Sequence, residues 1–196
     1  MRRRYPTARS WATLVRMTDV LHGDGVSLRP LIEGDADDLL RMLTEPAVAQ
    51  WWEGYDRARV LDELIAEGEG ASFGILVPAD AVEGEAGADR LVGMIQYYEQ
   101  DDPDYRHAGI DLFVDPTIHR TGVGRRAVVT LVRHLADDLG HHRVIVDPSE
   151  RNERSVAFFE SLGFRRVGVL RRYERRADGA WGDNVLLELL VDELSG

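Results

Sequence analysis

The chain of 196 residues contains no cysteine. That absence excludes a disulfide framework, a Cys-ligated zinc or iron–sulfur site and a cysteine nucleophile. Lysine is also missing, because all 24 basic residues are arginine. A Schiff-base lysine and a P-loop lysine are therefore ruled out. No apolar run approaches the ~20 residues of a membrane-spanning helix. Met1 to Ser10 is Arg-rich but has no apolar stretch behind it, so it does not read as a secretory signal. His107, His119, His134, His141 and His142 show no metal-ligand spacing with acids. The expectation is a metal-free cytoplasmic protein that does not contact membrane. Its length fits a single domain at 20–194 behind a flexible basic extension at 1–19.

Charge is present in plenty, and it is uneven. The net charge is −11. Residues 21–115 carry most of the acids, whereas residues 116–176 hold 13 arginines against seven acids. Opposed halves suggest two ligands of opposite sign, although two solvated faces would give the same pattern. The overall acidity argues against nucleic acid as a partner.

Periodicity orders the elements. Val20 to Leu31 reads as strand interrupted at Gly23-Asp24-Gly25. Asp35 is placed to cap a helix through Leu39, Leu40 and Leu43 that Pro46 ends, and Arg57 to Glu67 reads as a second helix. Ser72 to Val77, Arg90 to Tyr98 and His107 to Val114 read as strands. Pro78 to Asp89, acidic and rich in Gly and Ala, is a candidate for disorder, and Tyr98 to Arg106 is an acidic turn. Val123, Ala127, Leu131, Leu135 and Leu139 mark the strongest helix, closed by Gly140. Then follow strand Arg143 to Val146, a helix capped by Asn152 and ended at Gly163, and strands Phe164 to Leu170 and Val185 to Val191. The order β-α-α-β-β-β-α-β-α-β-β predicts an α/β fold of mixed α+β type. Its mixed, mostly antiparallel sheet has helices on both faces.

One turn carries a ligand signal. In His119-Arg120-Thr121-Gly122-Val123-Gly124-Arg125, two glycines stand between a strand and the best helix. Glycines let backbone approach a ligand, and the free N–H groups of a first helical turn bind phosphate oxygens. Arg120, Arg125 and Arg126 add positive charge there. Gly122, Gly124 and Ala127 also satisfy G-x-G-x-x-A, with Asp147 downstream as a ribose-binding acid would be. Against that dinucleotide reading, the connection after Pro116 is too long for its tight turn. The chain left after Asp147 is also too short for the remaining βαβ units.

With this turn in its place the chain resembles the GNAT superfamily of acyl-CoA N-acyltransferases. His119-x-x-Gly122-x-Gly124 matches that family's Gln/Arg-x-x-Gly-x-Gly/Ala at the glycines and departs from it at His119. Asn152 and the run Ala157-Phe158-Phe159-Glu160-Ser161-Leu162-Gly163-Phe164 are similar to the second half of its coenzyme A site. Within the superfamily, four segments resemble the aminoglycoside 6′-N-acetyltransferases. These are Gln50-Trp51-Trp52-Glu53-Gly54, Gly93-Met94-Ile95-Gln96-Tyr97-Tyr98, Gly109-Ile110-Asp111 and Asp147-Pro148-Ser149 with Asn152.

The resemblance implies a GNAT-type fold whose sheet is split between its central strands, and acetyl-CoA as the cofactor. It implies a cofactor site at Phe113, Val114, His119, Arg120, Thr121, Gly122, Val123, Gly124, Arg125, Asn152 and Phe159. The amide of Phe113 or Val114 would face the oxyanion, and the same stretch would pair with the pantetheine arm. Substrate would meet Trp51, Trp52, Glu53, Gln96, Tyr97, Tyr98, Asp111 and Asp147. An amine arrives as an ammonium and must lose a proton before attack. Asp111 is assigned as general base and Asp147 as ammonium clamp, with the two roles exchangeable. The bland alternatives are a salt bridge from Asp111 to an arginine such as Arg106, and a turn cap at Asp147.

One tryptophan would fill core and the other would wall the sugar rings. Glu53, Glu99, Asp101, Asp102 and Asp104 would supply a negative field. The resemblance puts Phe159 at the position of the family's general-acid tyrosine, where it cannot donate a proton, and leaves water, Tyr97 or Tyr98 as substitutes. The implied reaction moves acetyl from acetyl-CoA to a primary amine, best the 6′-amine of an aminoglycoside, a small polycation whose modification gives antibiotic resistance. Alternatives are a lysine-like siderophore precursor, another small amine, a protein N-terminus, or a non-catalytic acyl-CoA sensor. The protein would be a monomer or homodimer.

Overall fold

The computed structural model describes residues 20–66, 70–78, 89–100 and 102–194. The expected basic extension and most of the acidic Gly/Ala loop lie outside the described residues. Eight strands form one sheet in the order β1-β2-β3-β4-β5-β6-β8-β7. They are β1 Leu21–Gly23, β2 Val26–Pro30, β3 Gly70–Val77, β4 Arg90–Gln100, β5 His107–Val114, β6 Arg143–Val146, β7 Arg165–Arg175 and β8 Trp181–Leu190. Every pairing is antiparallel except β5 with β6. This is the mixed, mostly antiparallel sheet the element order called for.

The helices are α1 Ala36–Thr44, α2 Pro46–Ala49, α3 Arg57–Arg59 continued as a π-helix over Val60–Ile65, α4 Val123–Asp137 and α5 Glu153–Ser161. Two apolar layers result from the alternation of strand side chains. Ile95, Ile110 and Val144 pack with Leu131 and Leu135 of α4 and Phe159 of α5. Met94 and Phe113, on the opposite face, pack with Leu39 and Met42 of α1 and Val60 and Leu64 of the π-helix.

Some local expectations change. Asp35 precedes α1 but does not cap it with its side chain. Its carboxylate accepts both Arg29 nitrogens, at 3.0 and 2.8 Å, and the Ile32 N–H at 2.8 Å. The second helix is a single α-turn, capped by Asp56 on the Arg59 N–H at 2.8 Å, before it widens to π. Strand β7 runs five residues beyond the predicted Leu170, and a bulge interrupts it between Leu170 and Glu174.

The sheet opens at β5–β6, the only parallel pair among the described residues. β5 and β6 pair at Ala108↔Val144 and Gly109↔Ile145 and nowhere beyond. The rest of β5, Ile110 to Val114, continues along β4 alone. The split between central strands is therefore present.

Candidate active site

The register decides which groups face the split. The Asp115 N–H donates to Val92 O at 2.8 Å, and the two residues sit opposite each other past the Gly93↔Val114 pair. Antiparallel geometry then turns the backbone groups of Phe113 and Asp111 toward β4, and those of Val114 and Leu112 toward β6. Of the two amides expected at the oxyanion, Val114's faces the split and Phe113's does not. Phe113 is buried, with its ring edge-on to Trp52 at 5.2 Å. Leu112 is the residue that was missed. Its N–H shares the open edge with Val114, and strand alternation counted from Asp115 was the signal.

The glycine turn closes one end of this edge. Gly122 caps α4 in the left-handed region, φ 82°, which only glycine enters without strain. A Cβ on Gly124 would touch Val114, Phe158 and Leu112 at 3.6–3.9 Å, so the N-terminus of α4 lies against the open end of β5. The first-turn amides of α4 have no intrahelical acceptor. His119 ties the turn down rather than extending from it, with Nε2 lying 3.1 Å from Val114 O. Arg125 bridges to Ser161 O at 3.1 Å, and Thr121 Oγ1 donates to Ile118 O at 2.7 Å. Arg120 is exposed at φ 67°. Asn152 Oδ1 caps α5 on the Ser155 N–H at 3.1 Å.

On the other side of the split lies a cavity of about 1010 Å³ lined by Trp51, Trp52, Glu53, Gln96, Asp111, Asp147, Asn152 and Phe159, among others. Asp111 faces Gln96 across the β4–β5 pair and accepts a hydrogen bond from its side chain. Burial raises its pKa, Gln96 opposes the rise, and Glu174 adds to it. No arginine pairs with Asp111 among the described residues. Arg106 instead donates to Leu139 O at 2.6 Å and approaches Glu99. Asp147, just past β6, is pushed up to about 6, first by burial and then by the neighbouring Asp111 charge. Hydrogen bonds from Tyr173 and Asn184 partly offset both. Asp147, held at about 6 beside a second carboxylate that repels it, is poised to take up a proton.

Tyr97 does not reach this cavity. It alternates to the α4 face of β4 and stacks on Phe73 at 6.4 Å, which corrects its expected place at the substrate. Tyr98 is on the correct face but lies over Gly109, where a Cβ would meet its ring at 2.0 Å. That overlap is the reason for the glycine in Gly109-Ile110-Asp111. Trp52 packs on Phe113 and Tyr55, while Trp51 lines the cavity. Glu53 accepts a hydrogen bond from the Ala177 N–H across the cavity. Glu99 pairs with buried His141 at 2.6 Å, and Asp102 and Asp104 belong to the β4–β5 turn, so none of these three faces the cavity. Asp101 lies outside the described residues.

The β7–β8 hairpin brings residues that the sequence did not single out: Tyr173, Glu174, Arg175, Arg176 and Asn184. Tyr173 hydrogen-bonds Asp147 from within the β7 bulge. There Arg172 adopts φ 50° and its N–H donates to Asp183 Oδ1 at 2.7 Å. Asn184 Nδ2 donates to Asp147 O at 2.6 Å. Neighbouring residues of β8 thus hold both the bulge and the Asp147 loop.

A split sheet with an open amide edge, ending in a glycine-capped helix, defines a class. The chain belongs to the GNAT acetyltransferase family, whose domain model matches residues 26–165. It is similar to a Bacillus subtilis (strain 168) protein named "Probable N-acetyltransferase YjcK", 25% identical over 87% of this chain and 97% of that one. It is also similar to the aminoglycoside N(6′)-acetyltransferase type 1 of Klebsiella pneumoniae, 24% identical over 75% and 77% of the two chains. Among solved structures, Mycobacterium smegmatis RimJ in complex with CoA-disulfide superposes with a TM-score of 0.72. It is 26% identical, and 91% of this chain and 88% of that one are covered. The protein is an N-acetyltransferase, and acetyl-CoA is its acetyl donor. The open edge at Leu112 and Val114 and the free amides at Gly122–Gly124 fit such a donor. The first suits an extended amide-bearing arm and the second a phosphate.

Proposed function

We propose that the protein acetylates a primary amine by direct attack within a ternary complex. The observation that carries this reading is the Asp111–Asp147 carboxylate pair beside the open edge of β5. Bound acetyl-CoA supplies a thioester carbonyl. The α4 amides, with Arg120 beside them, hold its phosphates, and Leu112 and Val114 pair with its arm. Their N–H groups oppose the negative charge that develops on the carbonyl oxygen. Asp111 and Asp147 orient the incoming ammonium and take its proton, directly or through water. Phe159 offers no proton, and a thiolate of ordinary pKa ~8.5 leaves without a dedicated acid.

The finer reading of the acceptor is the 6′-amine of an aminoglycoside. It is supported by the carboxylate pair, by Trp51 at the wall and by similarity to the Klebsiella enzyme. A second reading, another small amine or a protein N-terminus, is favoured by the charge of the cavity lining. Glu53, Asp111, Asp147 and Glu174 are matched there by Arg59, Arg151, Arg175 and Arg176, so a polycation meets no net negative wall. The deciding measurement is thiol release from acetyl-CoA with kanamycin, tobramycin and a 6′-hydroxyl analogue. Turnover of the amino compounds alone supports the aminoglycoside. No turnover of any of the three, with acetyl-CoA still bound, removes it and leaves the amine acetyltransferase.

A further inference from the structure

We infer that Glu53 is a specificity-determining latch across the acceptor cavity, so that the preferred acceptor carries its amine on a slender chain. The inference rests on the acetyl-transfer reading and favours its second acceptor, a small amine or a protein N-terminus, over a ring-borne amine. The strand order places the latch. Asp111 lies on β5 and Asp147 just past β6, so the two carboxylates stand on the floor of the cavity where these neighbouring strands part. One wall rises on the β4–β5 side. It is the turn from Trp51 to Tyr55, whose Trp52 packs edge-on against Phe113 of β5 at 5.2 Å. The other wall rises from β8 and β7, beyond β6, and is the hairpin tip from Arg175 to Ala177. The Glu53 carboxylate accepts the Ala177 N–H and joins residues 124 positions apart. A bond between walls on opposite sides of a floor spans that floor.

The two walls are not equally fixed. Arg59 anchors the turn behind Glu53. It donates to Glu53 O and to Glu63, each at 2.7 Å, and stacks on Tyr55 at 4.2 Å. The hairpin tip has no such support. The Arg176 N–H donates to Ala180 O at 2.9 Å, the Gly179 N–H to Arg176 O at 2.8 Å and the Ala180 N–H to Asp178 Oδ1 at 2.8 Å, all within the hairpin. Below the tip, the bulge between Leu170 and Glu174 interrupts the ladder, so the pairs Glu174↔Gly182 and Arg175↔Trp181 stand apart from the rest of β7. A short two-stranded ribbon is marginal by itself. Among the described residues, Glu53 is the hydrogen-bond partner that the tip finds outside its own hairpin.

Selectivity for width follows. A methylene chain reaches the carboxylates with the walls still joined. A ring beside the reacting methylene has to part the walls and forfeits the Glu53 bond. Hydrogen bonds to a charged group are strong enough for that loss to cost the wide acceptor about tenfold or more. Glu53 thus acts by holding the hairpin, and the acid expected to attract a cationic substrate is spent on a backbone amide.

The test uses amines that share a reacting CH2–NH2 and differ in width: n-hexylamine, cyclohexylmethylamine and 1-adamantylmethylamine. In the wild type, kcat/KM from thiol release should fall about tenfold or more from the first to the last. E53A should bring the three within about threefold of one another, and E53Q, whose amide oxygen still accepts the Ala177 N–H without charge, should fall between. Thermal midpoint and acetyl-CoA affinity check folding. Hydrogen exchange reads the latch directly: the Ala177 amide should exchange about tenfold or more faster in E53A. Calorimetric Kd values for N-acetylhexylamine against N-acetyl-1-adamantylmethylamine, measured with coenzyme A present, read the width preference without chemistry. No preference for the slender amine in the wild type, a preference unchanged in E53A, or Ala177 exchange unaltered by the substitution would each overturn the latch. Absent thiol release with every probe would count against the acetyl-transfer reading, while the exchange rate and those Kd values still decide the latch.

Discussion

The two sides of the β5–β6 split are built from different materials. The proposed donor side is mostly backbone: the open edge of Leu112 and Val114, the left-handed Gly122 and the first amides of α4. The proposed acceptor side is mostly side chains: Asp111 of β5, Asp147 just past β6, Trp51 in the turn after α2 and Tyr173 of the β7–β8 hairpin. A backbone site asks the sequence only for glycine and a helix start. A side-chain site changes with each substitution. A common donor and divergent acceptors follow from that division, and the division can be tested from either side.

The largest expected effect comes from the acceptor side. Asp111→Asn keeps the shape and the Gln96 contact but cannot take a proton. It should lower kcat by roughly 10²-fold or more while acetyl-CoA binds as before. Steady-state kinetics checks the first half of that outcome and calorimetry of acetyl-CoA binding the second. The next effect comes from the donor side. Gly122→Val places a β-branched residue at φ 82°, a strain of ~1–2 kcal/mol. Relieving it turns the α4 amides away, so acetyl-CoA should bind about tenfold more weakly, with acceptor KM little changed. A weakened acceptor KM with normal acetyl-CoA affinity would contradict the separation of the two sides.

The same division explains what was legible in the sequence. Strand β5 and the start of α4 follow the expected boundaries because glycine and apolar periodicity encode them directly. Asp111 and Asp147 stood out as acids within and beyond buried strands. Tyr97 was misplaced because adjacent tyrosines look alike in composition, although period two sends them to opposite faces. The hairpin contribution was hidden for a different reason. The β7 bulge sets Arg172 in the left-handed region without a glycine to announce it, and the Asp183 carboxylate eleven residues away stabilises it. Nothing in the local sequence at Tyr173 marks that long-range support.

The smallest effect tests how the two walls of the acceptor side cooperate. Asp147 faces Asp111 from β5, Tyr98 from β4, Tyr173 and Glu174 from β7, and Asn184 from β8. Burial and the two neighbouring acids favour its protonated form. The Tyr173 and Asn184 hydrogen bonds favour the carboxylate and hold the balance at about 6. In its proposed role as a base Asp147 acts only when ionised, so kcat/KM should rise with pH through about 6 and level off above it. Tyr173→Phe removes one group that favours the carboxylate, so the rise should move to higher pH. The variant should lose several-fold in rate at pH 6, by the worth of a charge-assisted hydrogen bond, and much less at pH 8. A tyrosine that only supported the hairpin would lower the rate equally at every pH. The displacement of the acidic limb is therefore the readout that ties the β7 bulge to the chemistry on β5 and β6.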